Sequence, residues 1–365
     1  MPPRKSRKSD FMQVPINQVD FSKITTVADV VDAFKGSSFQ ARQLGMAAQV
    51  WENALTDKDR PTIVMGLAGS LMAGGLRKVI RDVIANHLVD VVVTVGSQPY
   101  QDLYAARGYN FWRSTPEVDD LELRSHFLDR LYDTIVDEEK FRETDDALGQ
   151  LFGKLEPRGY TSRELYQFLG EQFDDPESWV VTAAREQVPL FCPAVNDSSL
   201  GIGMVQNYVR NKKAGKPFPT IDPIRDAYEL AQVKMRSKKT MVIYIAGGVS
   251  KNYIQQTEVI SEVLGVEAGG HQYAVQLTTD SDYWGGLSGC TFKEAQSWGK
   301  IAADAKMAQC HVDVTIGMPL LVGALLQKRA AWKDRKALRF DYQDSELKRI
   351  EQVPRGGTAG GKKKR

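Results

Sequence analysis

From Ile24 to about Leu55 apolar residues recur at three- and four-residue spacing. They run through Val27, Val30, Val31 and Phe34 and, after a break at Gly36-Ser37-Ser38, through Ala41, Leu44, Ala47, Ala48 and Trp51. That spacing predicts a helical hairpin. The period then shortens to continuous apolar runs that end in small residues. Pro61-Thr62-Ile63-Val64-Met65 leads into Gly66-Leu67-Ala68-Gly69-Ser70, and Val89 to Val95 leads into Gly96-Ser97. Val188 to Phe191 ends in Pro193 to Asp197, Thr240 to Ile245 in Ala246-Gly247-Gly248-Val249-Ser250, Tyr273 to Leu277 in Thr278-Thr279-Asp280, and Val312 to Thr315 in Gly317. Six such runs alternating with helical patterns predict an α/β fold, a doubly wound and mostly parallel sheet with helical additions.

Between Gly108 and Ala184 the chain is charged and reads as helical over Leu121–Val136, Glu138–Phe152, Ser162–Phe173 and Pro176–Arg185, with no convincing strand. We expect a helical insertion there, within a single domain spanning 24–353. It is preceded by a basic, irregular segment over 1–23 and followed by a flexible basic tail over 354–365. The formal charge of +2 is uneven: the two ends sum to +8, which leaves −6 on the body. Such a tail reads as solvated charge, with no specific nucleic-acid partner implied.

No apolar run approaches a membrane span and no signal region opens the chain, so a cytoplasmic protein is expected. Cys192, Cys290 and Cys310 are scattered, as are the four histidines, and neither set has metal-ligand spacing; no metal is expected.

In doubly wound sheets ligands lie outside the carboxyl ends of the strands. The loops at Gly66–Ser70 and Ala246–Ser250 suit close approach of backbone to phosphate, but tight helix-on-strand packing would demand glycine equally. The other candidate is Tyr283 to Ile301, a glycine-rich loop followed by a helix opening near Thr291, with Trp298 and Lys300 near its middle. On a regular helix those two side chains would stand roughly 200° apart, and Glu294 would share the tryptophan's face. A lysine held beside an indole in a low-dielectric pocket would have a depressed pKa and act as a nucleophile; on an ordinary helix it would be a solvated charge.

Glu294-Ala295-Gln296-Ser297-Trp298-Gly299-Lys300-Ile301 resembles the active-site segment of deoxyhypusine synthase. The similarity extends over roughly Gln40 to Lys328, including Gly66–Leu71, Val89–Thr94, Phe191–Gly201, Gly247–Lys251 and Lys300–Asp313. It implies a Rossmann-like fold, a homotetramer, NAD as cofactor, and a polyamine such as spermidine as donor. Lys300 would carry the aminobutyl group as an imine. The acceptor would be a protein lysine or a small diamine, the latter giving a homospermidine-type product. By position, the resemblance implies cofactor contacts at Ser70, Asp197, Gly247, Gly248, Thr279, Gly285, Ser288 and Asp313. Glu294, Trp298 and Asp282 are the candidates for substrate binding.

The departures fall where chemistry would happen. The family's Lys-His-His reads Lys251-Asn252-Tyr253, and asparagine cannot serve as a general base. Gln101, Ile202 and the Trp284–Ser288 loop lack four acidic positions of the family pattern. A changed donor or acceptor is therefore expected. A same-fold enzyme acting on agmatine or another guanidino amine stays open, with Trp284 and Trp298 stacking on a planar cation. So does a non-catalytic NAD- or amine-binding oligomer.

Overall fold

The computed structural model describes residues 7–355; the extreme N-terminus and the Gly356–Arg365 tail lie outside the described residues. Six strands form one all-parallel sheet: β1 (Thr62–Leu67), β2 (Val91–Thr94), β3 (Leu190–Phe191), β4 (Thr240–Ile245), β5 (His271–Thr278) and β6 (Ile301–His311). Across the sheet the order is β3-β2-β1-β4-β5-β6, the arrangement that dinucleotide-binding sheets use, with the direction of winding reversing between β1 and β4. Met65 pairs with Val92 on one side and Ile243 on the other, and Val275 with Ile243 and Ala308. Every residue of β1 and β4 is buried, as continuous apolar runs covered on both faces require.

The helical hairpin forms as Val27–Phe34 and Phe39–Thr56. Thr26 and Asp29 close a capping box at its start, satisfying free amides of the first turn. Trp51 is wholly buried beneath the sheet and donates its indole N–H to the Leu88 carbonyl at 3.1 Å. On the opposite face helix Gly248–Val263 packs so closely on β1 that a Cβ on Gly66 would lie 3.1 Å from Ile254 and 3.2 Å from Ser250. This glycine serves helix–strand packing.

Three expectations are corrected. The sixth strand is Ile301–His311 and not Val312–Thr315, because Asp313 caps helix Val314–Gln327 through the Thr315 amide. β6 is an edge strand built from Ala, Asp, Lys and Gln, so it carries no buried-strand signature. The 108–184 insertion is not wholly helical: Trp112–Arg113, Leu128–Leu131 and Thr134–Asp137 form a small antiparallel sheet. The helix expected over 121–136 stops at Ser125, and Tyr132 at φ 56° turns the chain into a hairpin whose second arm is the β-branched Thr134-Ile135-Val136. Finally, helix Phe292–Ser297 ends before Trp298, so neither Trp298 nor Lys300 is helical.

Beyond the sheet, β7 (Ala337–Gln343) and β8 (Glu346–Val353) make an antiparallel hairpin. Its two-residue turn, Asp344-Ser345, has φ 49° and 63°, which matches the twist of the arms.

Candidate active site

The carboxyl ends of β4, β5 and β6 and the loop after β1 surround a cavity of about 290 Å³ lined by Leu71, Gly247, Thr279, Asp280, Ser288 and Asp313. Four of the eight residues expected at a cofactor site therefore meet at one place. Gly248 joins them by packing, since a Cβ there would stand 2.6 Å from Leu287 Cβ and 2.8 Å from the Ser288 nitrogen. Ser70 precedes Leu71 and receives a 3.4 Å hydrogen bond from the Gln101 side-chain amide. Asp197, in the loop after β3, and Gly285, at φ 69° beyond the short turn Asp282–Trp284, do not line this cavity.

A hydrogen-bonded run leads inward from the cavity. Ser288 Oγ donates to Asp280 at 2.5 Å, the Gln276 amide donates to the Ser288 carbonyl, and Lys251 Nζ donates to Gln276 Oε1 at 2.8 Å and to the Cys290 carbonyl at 2.5 Å. Lys251 is 0% exposed. Burial lowers its amine to about 8, partly opposed by Cys290, Glu294 and Asp280. Burial likewise raises the Cys290 thiol, and Lys251, Glu294 and Lys300 all act on it electrostatically. Lys251 is thus in contact with Cys290, and Glu294 and Lys300 lie within electrostatic reach of the Cys290 thiol.

Sequence reasoning assigned Lys251 no role, although a signal was present. A lysine in the first turn of a helix meets the positive end of the helix dipole, an unfavourable place for a cation unless function requires it.

Lys300 sits in the turn that joins helix Phe292–Ser297 to β6. Its backbone N–H reaches the Ala295 carbonyl at 3.1 Å and its carbonyl accepts from His271 at 3.0 Å. Gly299, at φ 70°, bends the chain so that Lys300 Nζ lies 5.5 Å from the Trp298 ring centroid. The indole and the amine therefore do meet, through a left-handed glycine and not through helical periodicity. Within one chain, however, Lys300 stands at the amino end of β6, and the Gly247–Asp313 cavity at the carboxyl end, a strand's length or roughly 20 Å away.

Glu294 is exposed, and its backbone N–H bonds Thr291 Oγ at the helix cap. Asp282 is exposed. Trp284 and Trp298 are 79% and 67% exposed, and Tyr283 and Leu287 are exposed as well. Gln98 and Gln101 are buried, and each has a carbonyl oxygen without a partner among the described residues. No cluster of three or more His, Cys, Asp or Glu that could hold a metal occurs among the described residues.

The profile of the family "DS: Deoxyhypusine synthase" matches residues 29–325. "Probable deoxyhypusine synthase 2" of Methanosarcina mazei is 39% identical over 322 residues, 87% of this chain and 91% of that protein. "Deoxyhypusine synthase-like protein" of Chlorobaculum tepidum is 37% identical over 348 residues, 93% of this chain and 97% of that one. A crystal structure from Entamoeba histolytica, provisionally named a deoxyhypusine synthase, superposes with a TM-score of 0.56 at 17% identity, covering 85% of this chain and 96% of that one. At that identity it speaks for the fold alone. A profile match over most of the chain, relatives above one-third identity along nearly their whole length, and the parallel six-stranded sheet lead to one assignment: the chain belongs to the deoxyhypusine synthase family.

Proposed function

We propose that the chain is an NAD-dependent transferase that moves an aminoalkyl group, aminobutyl when spermidine is the donor, to an acceptor amine through an imine on Lys300. The observation that carries this reading is the buried Lys251, joined by hydrogen bonds to the crevice at the switch point of a dinucleotide-type sheet, with the Cys290 thiol beside it and Glu294 and Lys300 within electrostatic reach of that thiol.

The cavity residues fit part of a dinucleotide. Asp313 spends one carboxylate oxygen, Oδ1, on the Thr315 cap, and its other oxygen has no bond to a described residue; Asp280 stands beside it. Both could accept from sugar hydroxyls, with Gly247, Gly248, Thr279 and Ser288 around them and Ser70, Asp197 and Gly285 on the approaches. NAD held by these residues would supply the hydride acceptor and donor that oxidation of the amine-bearing carbon and its final reduction require. Lys300 would attack the oxidised carbon, expel the rest of the polyamine, hold the four-carbon unit, and yield it to the acceptor amine. Lys251, poised near 8 by burial, takes the proton-handling place that Asn252 cannot fill.

The distance between Lys300 and its own chain's cavity calls for a second copy, so that Lys300 of one subunit faces the crevice of another. The exposed Tyr283, Trp284 and Leu287 beside the crevice, and the exposed Trp298 beside Lys300, support such a contact, because exposed aromatic surface of this kind is covered in assemblies. We infer a homotetramer in the cytoplasm, with Glu294, Trp298 and Asp282 facing the amine; no helix among the described residues is long and apolar enough to cross a membrane.

Gln101, in place of an acid, keeps a carbonyl acceptor without a charge. This favours a less cationic donor or acceptor; a protein lysine and a small diamine both stay open as acceptor. The exposed indoles of Trp284 and Trp298 favour a second reading, a planar guanidino amine such as agmatine. Incubation with NAD and single amines, followed by product masses, separates the two. Diaminopropane released from spermidine supports the first and product from agmatine the second. NAD binding without turnover of any amine leaves a non-catalytic protein.

A further inference from the structure

The family match ends at residue 325, and the β7–β8 hairpin beyond it closes a cavity of about 540 Å³ against edge strand β3. Its walls include Arg163, Gln187, Leu190, Arg339, Asp341 and Arg349. Gln187 caps the helix that leads into β3 and Leu190 opens that strand, so the cavity lies at the opposite end of the sheet from the Gly247–Asp313 crevice. Its size is that of a small-molecule site.

The charges on its walls are unevenly satisfied. Arg163 makes two bonds to Glu229, at 2.7 and 3.0 Å, and Arg349 pairs with Glu351 at 2.8 Å. Arg339 has no such partner. Its side chain is 13% exposed, its one hydrogen bond among the described residues is a 3.3 Å contact to the Leu338 carbonyl, and the nearest carboxylate oxygen, of Glu186, is 3.9 Å away. That oxygen is already shared with His87 at 3.0 Å. Burial lowers the Arg339 pKa, yet a guanidinium stays charged and carries five donors in a fixed fork. Two residues along β7, on the same face of the strand, Asp341 has only the loose 4.0 Å approach of Arg349. A poorly paired, largely buried cation and a 43% exposed, loosely paired anion therefore rise from one face of the strand with their backbones about 7 Å apart.

We propose that this cavity binds a small ω-amino acid zwitterion, its carboxylate on Arg339 and its ammonium on Asp341. The spacing suits an amine and a carboxylate separated by three or four carbons, and a free phosphate has no cation to offer Asp341. Isothermal titration of the full chain with glycine, β-alanine, γ-aminobutyrate and 5-aminovalerate tests it, with butyrate, putrescine and inorganic phosphate as partial probes. Saturable binding should appear with the longer zwitterions and weaken about tenfold or more for butyrate and putrescine, each lacking one charge-assisted contact. R339M should abolish it, R339K should retain part, and D341N should bring γ-aminobutyrate down to butyrate's level, while K300A changes nothing. The proposal is overturned if no zwitterion saturates at millimolar concentration, if R339M or D341N binds as the wild type does, or if phosphate binds more tightly than every zwitterion.

Discussion

Lys251 and Asp226 are the residues whose ionisation the fold alters in ways that can be measured. Burial lowers Lys251 from 10.5 to about 8. Between those values the unfolded chain holds a proton that the folded chain has released, so this residue makes stability rise with pH from about 8 to 10.5. Lys251→Met should flatten that part of the stability curve in denaturant titrations and abolish turnover. Asp226 behaves in the opposite sense. Burial raises it from 3.8 to about 7, its Oδ2 has no partner, and its Oδ1 accepts from the Ser162 amide at 2.9 Å. Here the folded chain holds the extra proton, so stability contributed by this group falls as pH rises from 3.8 towards 7. Asp226→Asn should stabilise the protein by on the order of 2 kcal/mol at pH 8 and by little near pH 4, read as the difference between two denaturation midpoints. The Asp226 shift could not be seen in the chain itself, and the place of Lys251 in the first turn of a helix hinted at a role but not at burial, because the packing of Tyr244, Phe292 and Tyr253 around these groups removes water.

At the scale of elements the decisive piece is the turn Trp298-Gly299-Lys300. Gly299 adopts φ 70°, which an L-residue enters at a cost of roughly 1 kcal/mol. Gly299→Ala should therefore lower stability by about that amount and reduce activity far more, since the substitution moves Lys300 away from the indole; melting temperature and kcat measured together check the split. The same turn shows what was legible in the chain. The residues of the motif could be picked out and their chemistry named, but helical periodicity set Trp298 and Lys300 on different faces, because nothing in Ser297-Trp298 marks a helix end as strongly as the left-handed glycine does in space. The strands β1, β2, β4 and β5 were readable because they are buried on both faces and carry runs of apolar residues. β6 was displaced by one element because an edge strand needs no such run, and the Leu128–Asp137 hairpin was hidden because its leucines also fit a helical spacing.

For the whole molecule, the family and the α/β fold follow from residues that read directly, whereas the assembly has to be argued from surface. The exposed Tyr283–Trp284 patch lies on the loop beside the crevice, whereas the exposed Trp298 stands beside a lysine that is far from it. Trp284→Glu should shift the protein to a smaller species in sedimentation velocity and lose activity in proportion. An unchanged sedimentation coefficient with full activity would mean that this patch is not a subunit contact. The lost acidic positions, Gln101 among them, act at the same scale by lowering the negative field that would draw a polyamine in. The salt dependence of KM for spermidine should therefore be shallow.

The most direct measurement is borohydride trapping with spermidine labelled in its aminobutyl part, in the presence of NAD, followed by peptide mass mapping. The account predicts a reduced four-carbon adduct on Lys300, absent when NAD is omitted and absent in Lys300→Ala. An adduct that persists in Lys300→Ala, or that maps to Lys251 in the wild type, would contradict it.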